Sequence, residues 1–206
     1  MAGMERVLEP ELMTDVAQAQ AYARADFSDG NAAFVQRFLA EFPDVRSGSF
    51  VDIGCGPADI PIRLAADLPE VSITCVDGSA EMLAPAREAI AQRGLGQRLT
   101  LHQGLIPDER LPAQSFQAVL SNSLVHHLPD GAVFWREALR LGAPGAPVLV
   151  QDLFRPESLA AVEAVVARLS ADDPPVLRED FYNSLRAAFT VEEVREQLRA
   201  AGLAAL

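Results

Sequence analysis

The residues of this 206-residue chain whose types and spacing could do chemistry fall into a few short stretches. In SFVDIGCGPAD, residues 49–59, an apolar run ends in Asp52 and then in two glycines, Gly54 and Gly56, one residue apart. Such glycines let the backbone turn sharply and approach a ligand, because they carry no Cβ. The acid before the turn is costly to bury and needs a partner. A second acid, Asp77, ends the next apolar run in Cys75-Val76-Asp77-Gly78, 21 residues after Gly56. An acid there can accept both hydroxyls of a ribose, so the two stretches describe a nucleoside site. His126 and His127 stand in LVHHLPD. Histidine titrates near the working pH and serves as a base when a nucleophile must lose a proton. The two are adjacent, with no third ligand at a usual spacing, so they do not suggest a metal. Asp152 and Arg155 follow the fifth apolar run, where they could pair with each other or meet a substrate. Arg178, Asp180, Tyr182, Asn183 and Ser184 set polar groups beside an aromatic, as a surface turn or as a substrate cap.

These groups need elements to position them. Short apolar runs predict strands at 49–54, 71–77, 98–103, 116–122 and 146–152. Helical patterns fall between them, at about 58–68, 80–93, 131–141 and 156–169. That alternation means a parallel sheet with crossover helices, whose ligand lies beyond the carboxyl ends of the strands. Residues 11–25 have helical propensity, 28–31 break the pattern, and a second helix covers 32–41 with Phe34, Val35, Phe38 and Leu39 on one side. Pro85 should kink the second crossover helix near Glu81. Asp172-Asp173-Pro174-Pro175 marks a break, and Thr190 with Glu193 forms a capping box for a last helix that ends at Gly202. Trp135, at helical spacing with Leu139, is expected to pack under the sheet.

Composition narrows the function. Net charge is -12, which argues against a nucleic-acid backbone or an anionic membrane surface as partner. All seventeen basic residues are arginines, which excludes Schiff-base lysine chemistry. Cys55 and Cys75 form no disulfide framework and read as free thiols of a reducing compartment. No run approaches about 18 continuous apolar residues and the N-terminus lacks a signal core, so a cytoplasmic protein is expected.

Two details select the ligand. A dinucleotide fingerprint places a third glycine where this chain has Asp59, whose carboxylate would oppose a pyrophosphate, and it has no use for Asp52. A nucleoside that also carries a sulfonium and an ammonium does use Asp52, which favours S-adenosylmethionine over NAD. VDIGCGPADIPIRLA, ITCVDGSAEML, SFQAVLSNSLVHHLPD and APGAPVLVQDL resemble, in order, the motifs of class I S-adenosylmethionine-dependent methyltransferases. The blocks AQAYARADF, LFRPES and DFYNSLRAAFT resemble a bacterial subgroup. The resemblance implies a Rossmann-like α/β fold, an open parallel sheet of order 3-2-1-4-5 with helices on both faces and an N-terminal helical lid. It further implies that Gly54 and Gly56 lie against the methionine part, Asp52 orients the ammonium, and Asp77 binds the ribose. Gly78 and Met82 would pack on the adenine, Leu105 and Ile106 would stand where relatives recognise its amino group, and Ser121 and Asn122 would face the reacting methyl. Tyr22 would close the site with its hydroxyl near the methionine carboxylate. Ala58 replaces a glycine of many members, and its small size predicts little effect. The family's last hairpin, strands 6 and 7, would begin where this sequence stops at Leu206; either the sequence is truncated there, or the fifth strand is an open edge that a second copy could cover.

The expected organisation is one methyltransferase domain, with a lid at 1–45, a cofactor-binding core at 46–170 and a helical cap at 171–206. The expected function is methyl transfer to a small-molecule acceptor, with His126, His127 and Asp152 as candidates for acid–base work and Arg155, Tyr182 and Asn183 for substrate contact. No metal, nucleic acid or membrane is expected. A non-catalytic cofactor-binding partner subunit and an NAD-dependent oxidoreductase are the alternatives.

Overall fold

The computed structural model describes residues 3–9 and 16–203. Five parallel strands form one sheet in the order β3-β2-β1-β4-β5. They are β1 (Ser47–Ile53), β2 (Glu70–Asp77), β3 (Leu99–Gln103), β4 (Ala118–Asn122) and β5 (Val148–Gln151). Successive side chains of a strand face opposite sides, and β1 shows the consequence. Phe50 enters one core with Phe34, Phe38, Leu64 and Leu83, whereas Val51 and Ile53 enter the other with Phe134, Trp135 and Leu141. The first face is covered by α2 (Ser28–Glu41), α3 (Asp59–Asp67) and α4 (Ala80–Gln92), the second by α5 (Ala132–Leu141) and α8 (Val191–Ala200). The remaining helices are α1 (Val16–Arg24), α6 (Leu159–Leu169) and α7 (Pro175–Ala187). The expected strands and crossover helices are all present, and Trp135 lies under the sheet with its indole N–H donated to Gln197 at 3.0 Å.

The departures have local causes. Helix α2 starts at Ser28, inside the expected break; just before it the Asp26 carboxylate accepts the Ser28 N–H at 3.0 Å in a local turn that leads the chain into the helix. Pro174-Pro175 reads as a stop, yet Pro175 opens α7, since a first helical position needs no N–H. Helix α4 continues through Pro85. The Thr190–Glu193 capping box is formed, and Gly202 takes φ +80° while the Leu203 N–H reaches the Leu198 carbonyl at 2.8 Å. Residues 11–15 of the expected first helix lie outside the described residues. Among the described residues, no helix is long and apolar enough to cross a membrane.

Candidate active site

The carboxyl ends of β1, β2 and β4 open onto one cleft of about 390 Å³. Its floor is the turn after β1. Gly54 has φ +78°, and a Cβ there would come within 2.9 Å of the Leu124 side chain, so no other residue fits. The N–H groups of Gly54 and Cys55 both donate to the Val76 carbonyl, at 2.8 and 2.9 Å, tying this turn to the end of β2. Asp77 completes the tie by accepting the N–H of Gly56 at 2.9 Å and of Ser79 at 2.8 Å. Burial raises the Asp77 carboxyl above its ordinary range and these two bonds oppose the rise.

Asp52 is only 2% exposed and lines the cleft. Among the described residues its carboxylate meets no hydrogen-bond donor. Burial, with the Asp77 charge adding to it, pushes Asp52 up to about 7. A buried acid opposed by the charge of another acid on the neighbouring strand is a standing demand for a cation.

Gly78, Ser79 and Met82 form one wall, and Gly104, Leu105 and Ile106 another. Tyr22, Ala25, Asp26 and Phe27 come over the top from α1 and the loop that follows. The rings of Tyr22 and Phe27 stand 4.7 Å apart, and burial, then the charges of Asp77 and Asp152, push the Tyr22 phenol to about 12. At the mouth, Asp59 accepts from Asn31 at 2.9 Å and from Arg63 at 2.6 Å. The Asp59–Arg63 spacing of one helical turn is visible in the sequence, but nothing there connects either residue to Asn31.

Beside this cleft sits a second polar group that the sequence did not reveal. The turn Val125–His127 holds His126 with its Nδ1 2.5 Å from Asp152 Oδ1, while its N–H donates to Asp152 Oδ2 at 3.2 Å. Glu9 reaches over from the N-terminal segment, and its Oε1 lies 3.1 Å from His127 Nδ1 and 3.5 Å from His126 Nε2. Burial raises the Glu9 carboxyl, against the pull of His126 and of the Ser184 hydroxyl that donates to it at 3.0 Å. Arg6 fixes the segment by donating to the carbonyls of His126, Leu128, Pro129 and Ala187.

Comparison with known proteins gives this arrangement a family. A methyltransferase-domain model matches residues 50–145. A phosphatidylethanolamine N-methyltransferase of Cereibacter sphaeroides is 30% identical over 150 residues, which are 71% of this chain and 72% of that protein. The chain belongs to the class I S-adenosylmethionine-dependent methyltransferases. A trans-aconitate 2-methyltransferase of Azoarcus sp. (strain BH72) is 31% identical over 61% of the chain, but the match spans only 47% of that enzyme. The chain thus spans about half the length of the trans-aconitate methyltransferases it matches. For the fold, a methyltransferase of Aquifex aeolicus superposes with a TM-score of 0.67 at 18% identity, covering 91% of this chain and 88% of that one.

Within this methyltransferase fold the cleft gathers Asp52, Gly54, Gly56, Asp77, Gly78, Met82, Leu105, Ile106, Asn122, His127 and Tyr22. Several expected residues stand elsewhere. Ser121 is fully buried and donates its hydroxyl to the Ile53 carbonyl at 2.8 Å, so it ties β4 to β1 instead of facing the cleft. His126 is buried between Asp152 and Glu9 and does not line the cleft, leaving His127 as the ring on its wall. Asp152 is not paired with Arg155. It is taken by His126 and the Leu153 N–H, while Arg155 donates to Glu193 at 2.6 Å and to the Ala188 carbonyl. Tyr182 lies in a shallow groove between α6 and α7, and neither it nor Asn183 reaches the cleft. Helix α7 instead turns Asp180 toward Gln18 and Ser184 toward Glu9, so its polar groups hold the N-terminal elements. Ala58 differs in kind from its expectation, because its φ of +66° makes backbone conformation, not size, the relevant property.

Proposed function

We propose that this chain transfers a methyl group from S-adenosylmethionine to a small-molecule acceptor. The observation that carries the reading is the buried Asp52 carboxyl, which meets no donor among the described residues and stands at a glycine turn beside the strand that ends in Asp77. The cofactor's ammonium and sulfonium are cations of the kind this acid requires, and its ribose offers two hydroxyls to the free lone pairs of Asp77. The residues fit the group. Gly54 and Gly56 would lie under its methionine part, Met82 and Ile106 would flank its base, and Asn122 would stand near the reacting end.

When bound, the cofactor supplies a methyl on a good leaving group. The protein's part is then mainly alignment and exclusion of water. Tyr22 and Phe27 close the cleft from above, and His127 is the histidine that lines the cleft beside the place an acceptor would take. The names of the relatives, with acids and amines among their acceptors, support a small acceptor without selecting one. Two free, buried cysteines support work in a reducing cytoplasm, and β5, the edge strand of the sheet among the described residues, supports a homodimer.

Calorimetric titration of ligand-stripped protein with S-adenosylhomocysteine, with NADH as control, tests this. Micromolar binding of S-adenosylhomocysteine alone is expected. Binding of NADH alone, or of neither, would refute the cofactor assignment.

A further inference from the structure

Three side chains with ligand-type atoms meet beside the cleft: Glu9, His126 and His127. One donor atom from each lies within 4.8 Å of the other two. The Glu9 oxygen stands 3.1 Å from His127 Nδ1 and 3.5 Å from His126 Nε2. Donors placed tetrahedrally at ~2.0–2.1 Å around a zinc ion are separated by about 3.3–3.4 Å. The two distances bracket that value.

The surroundings match a metal site as well as the three atoms do. Asp152 holds His126 through Nδ1, which leaves Nε2 as the nitrogen directed toward Glu9. A carboxylate behind an imidazole fixes the tautomer and ring orientation of metal-bound histidines. Asp152 is itself held, by the N–H groups of His126 and Leu153. Ser184 steadies Glu9 in the same way. Charge points in the same direction. Glu9 and Asp152, 10% and 15% exposed, face two imidazoles, and a divalent cation would balance both acids. The guanidinium of Arg6 is already engaged by four backbone carbonyls.

We propose that Glu9, His126 and His127 ligate a divalent first-row transition cation, zinc being the best match to two imidazoles and a carboxylate, with Asp152 as the supporting group. The existence of the site is independent of the methyltransferase reading, but its role rests on that reading. His127 and Leu128 line the cleft, so the ion stands behind its wall, next to the space an acceptor would occupy. An acceptor hydroxyl that takes up the open coordination position becomes more acidic. Its proton passes to solvent, its oxygen forms the new bond to the methyl carbon, and the electron pair of the broken C–S bond stays on sulfur. The site therefore favours an oxygen nucleophile.

The test uses tag-free protein stripped with a chelator and then titrated with Co2+ and Zn2+. The expected result is one Co2+ per chain with the intense visible absorption of a four-coordinate site, displaced by one Zn2+. Glu9→Gln and His127→Ala should each weaken Zn2+ binding more than about tenfold, and Asp152→Asn about 10–100-fold. No cation uptake by the wild-type protein overturns the assignment. Zn2+ binding that persists undiminished in Glu9→Gln and His127→Ala, an adventitious ion only, overturns it too. Far-UV circular dichroism confirms that each variant is folded. S-adenosylhomocysteine titration of the metal-free sample separates the two readings. Cofactor binding without metal uptake removes only this site, whereas metal uptake without cofactor binding upholds the site and removes the methyltransferase reading.

Discussion

At the scale of single residues, function depends on two acids held in unlike ways. Asp77 is anchored by two backbone N–H groups, and Asp52 has no donor among the described residues. Removing Asp77 therefore does two things. It takes away the expected ribose contact and frees the Gly56 and Ser79 N–H groups, loosening the floor of the cleft. Asp77→Ala should weaken S-adenosylhomocysteine binding by about 1.5–3 kcal/mol, the scale of lost charge-assisted bonds; unchanged affinity by calorimetry would mean that the ribose lies elsewhere. Asp52 acts on stability in the opposite sense to a salt-bridged acid. Its folded pKa, raised to about 7, exceeds the unfolded value, so the folded state keeps a proton that the unfolded state has lost. Ligand-free stability should thus fall as pH rises from about 4 to 7, and denaturant unfolding of Asp52→Asn should show a shallower fall over that window. Identical pH profiles would contradict the shifted carboxyl.

At the scale of elements, Ala58 shows how a turn can be legible while its strain is not. The residue caps α3 in a left-handed conformation and is fully buried. Glycine there would relieve about 1–2 kcal/mol of strain, offset by about 0.8 for the lost methyl and by a larger entropy of the unfolded chain. Ala65, buried in the last turn of the same helix, has no strain to relieve. Ala58→Gly should leave unfolding free energy within about 0.5 kcal/mol of the parent, and Ala65→Gly should lower it by about 1.5–2 kcal/mol. Equal losses would remove the strain. The strands and crossover helices were readable because each carries its own signal, an apolar run of strand length or a helical stripe. The start of α2 and the whole of α7 were not. One follows a local turn in which Asp26, a residue outside the helix, holds the Ser28 N–H, and the other opens on a proline that reads as punctuation until its position in the turn is known.

At the scale of the whole molecule, the N-terminal segment is a strap across the cleft side of the fold. Arg6 donates to the carbonyls of His126 in the histidine turn, of Leu128 and Pro129 just after it, and of Ala187, its guanidinium lies 3.7 Å from the Phe189 ring centroid, and the Val7 N–H meets the Arg186 carbonyl. Arg6→Ala should therefore raise amide hydrogen exchange at residues 3–9 and 125–129 while leaving β1 and β2 protected. Uniform exchange across the chain, or none gained, would count against the strap. This scale was the least legible in the sequence. Asp52, the glycines and Asp77 lie within one βαβ unit, so their spacing carries their geometry. The contacts of Glu9 with the histidine turn join distant parts of the chain, and no periodicity encodes them. The same reason separates Asp152 from Arg155: neighbours in sequence, they chose partners on the histidine turn and on α8.

The most direct measurement of the central claim is S-adenosylhomocysteine affinity as a function of pH, in the wild-type protein and in Asp52→Asn. A carboxyl titrating at about 7 is roughly one tenth ionised at pH 6 and nine tenths at pH 8. If the ionised form holds the ligand's ammonium, wild-type affinity should rise about tenfold over that interval, and the variant should bind more weakly with little pH dependence. Equal affinity of the two proteins, flat from pH 6 to pH 8, would contradict the placement of the cation at Asp52.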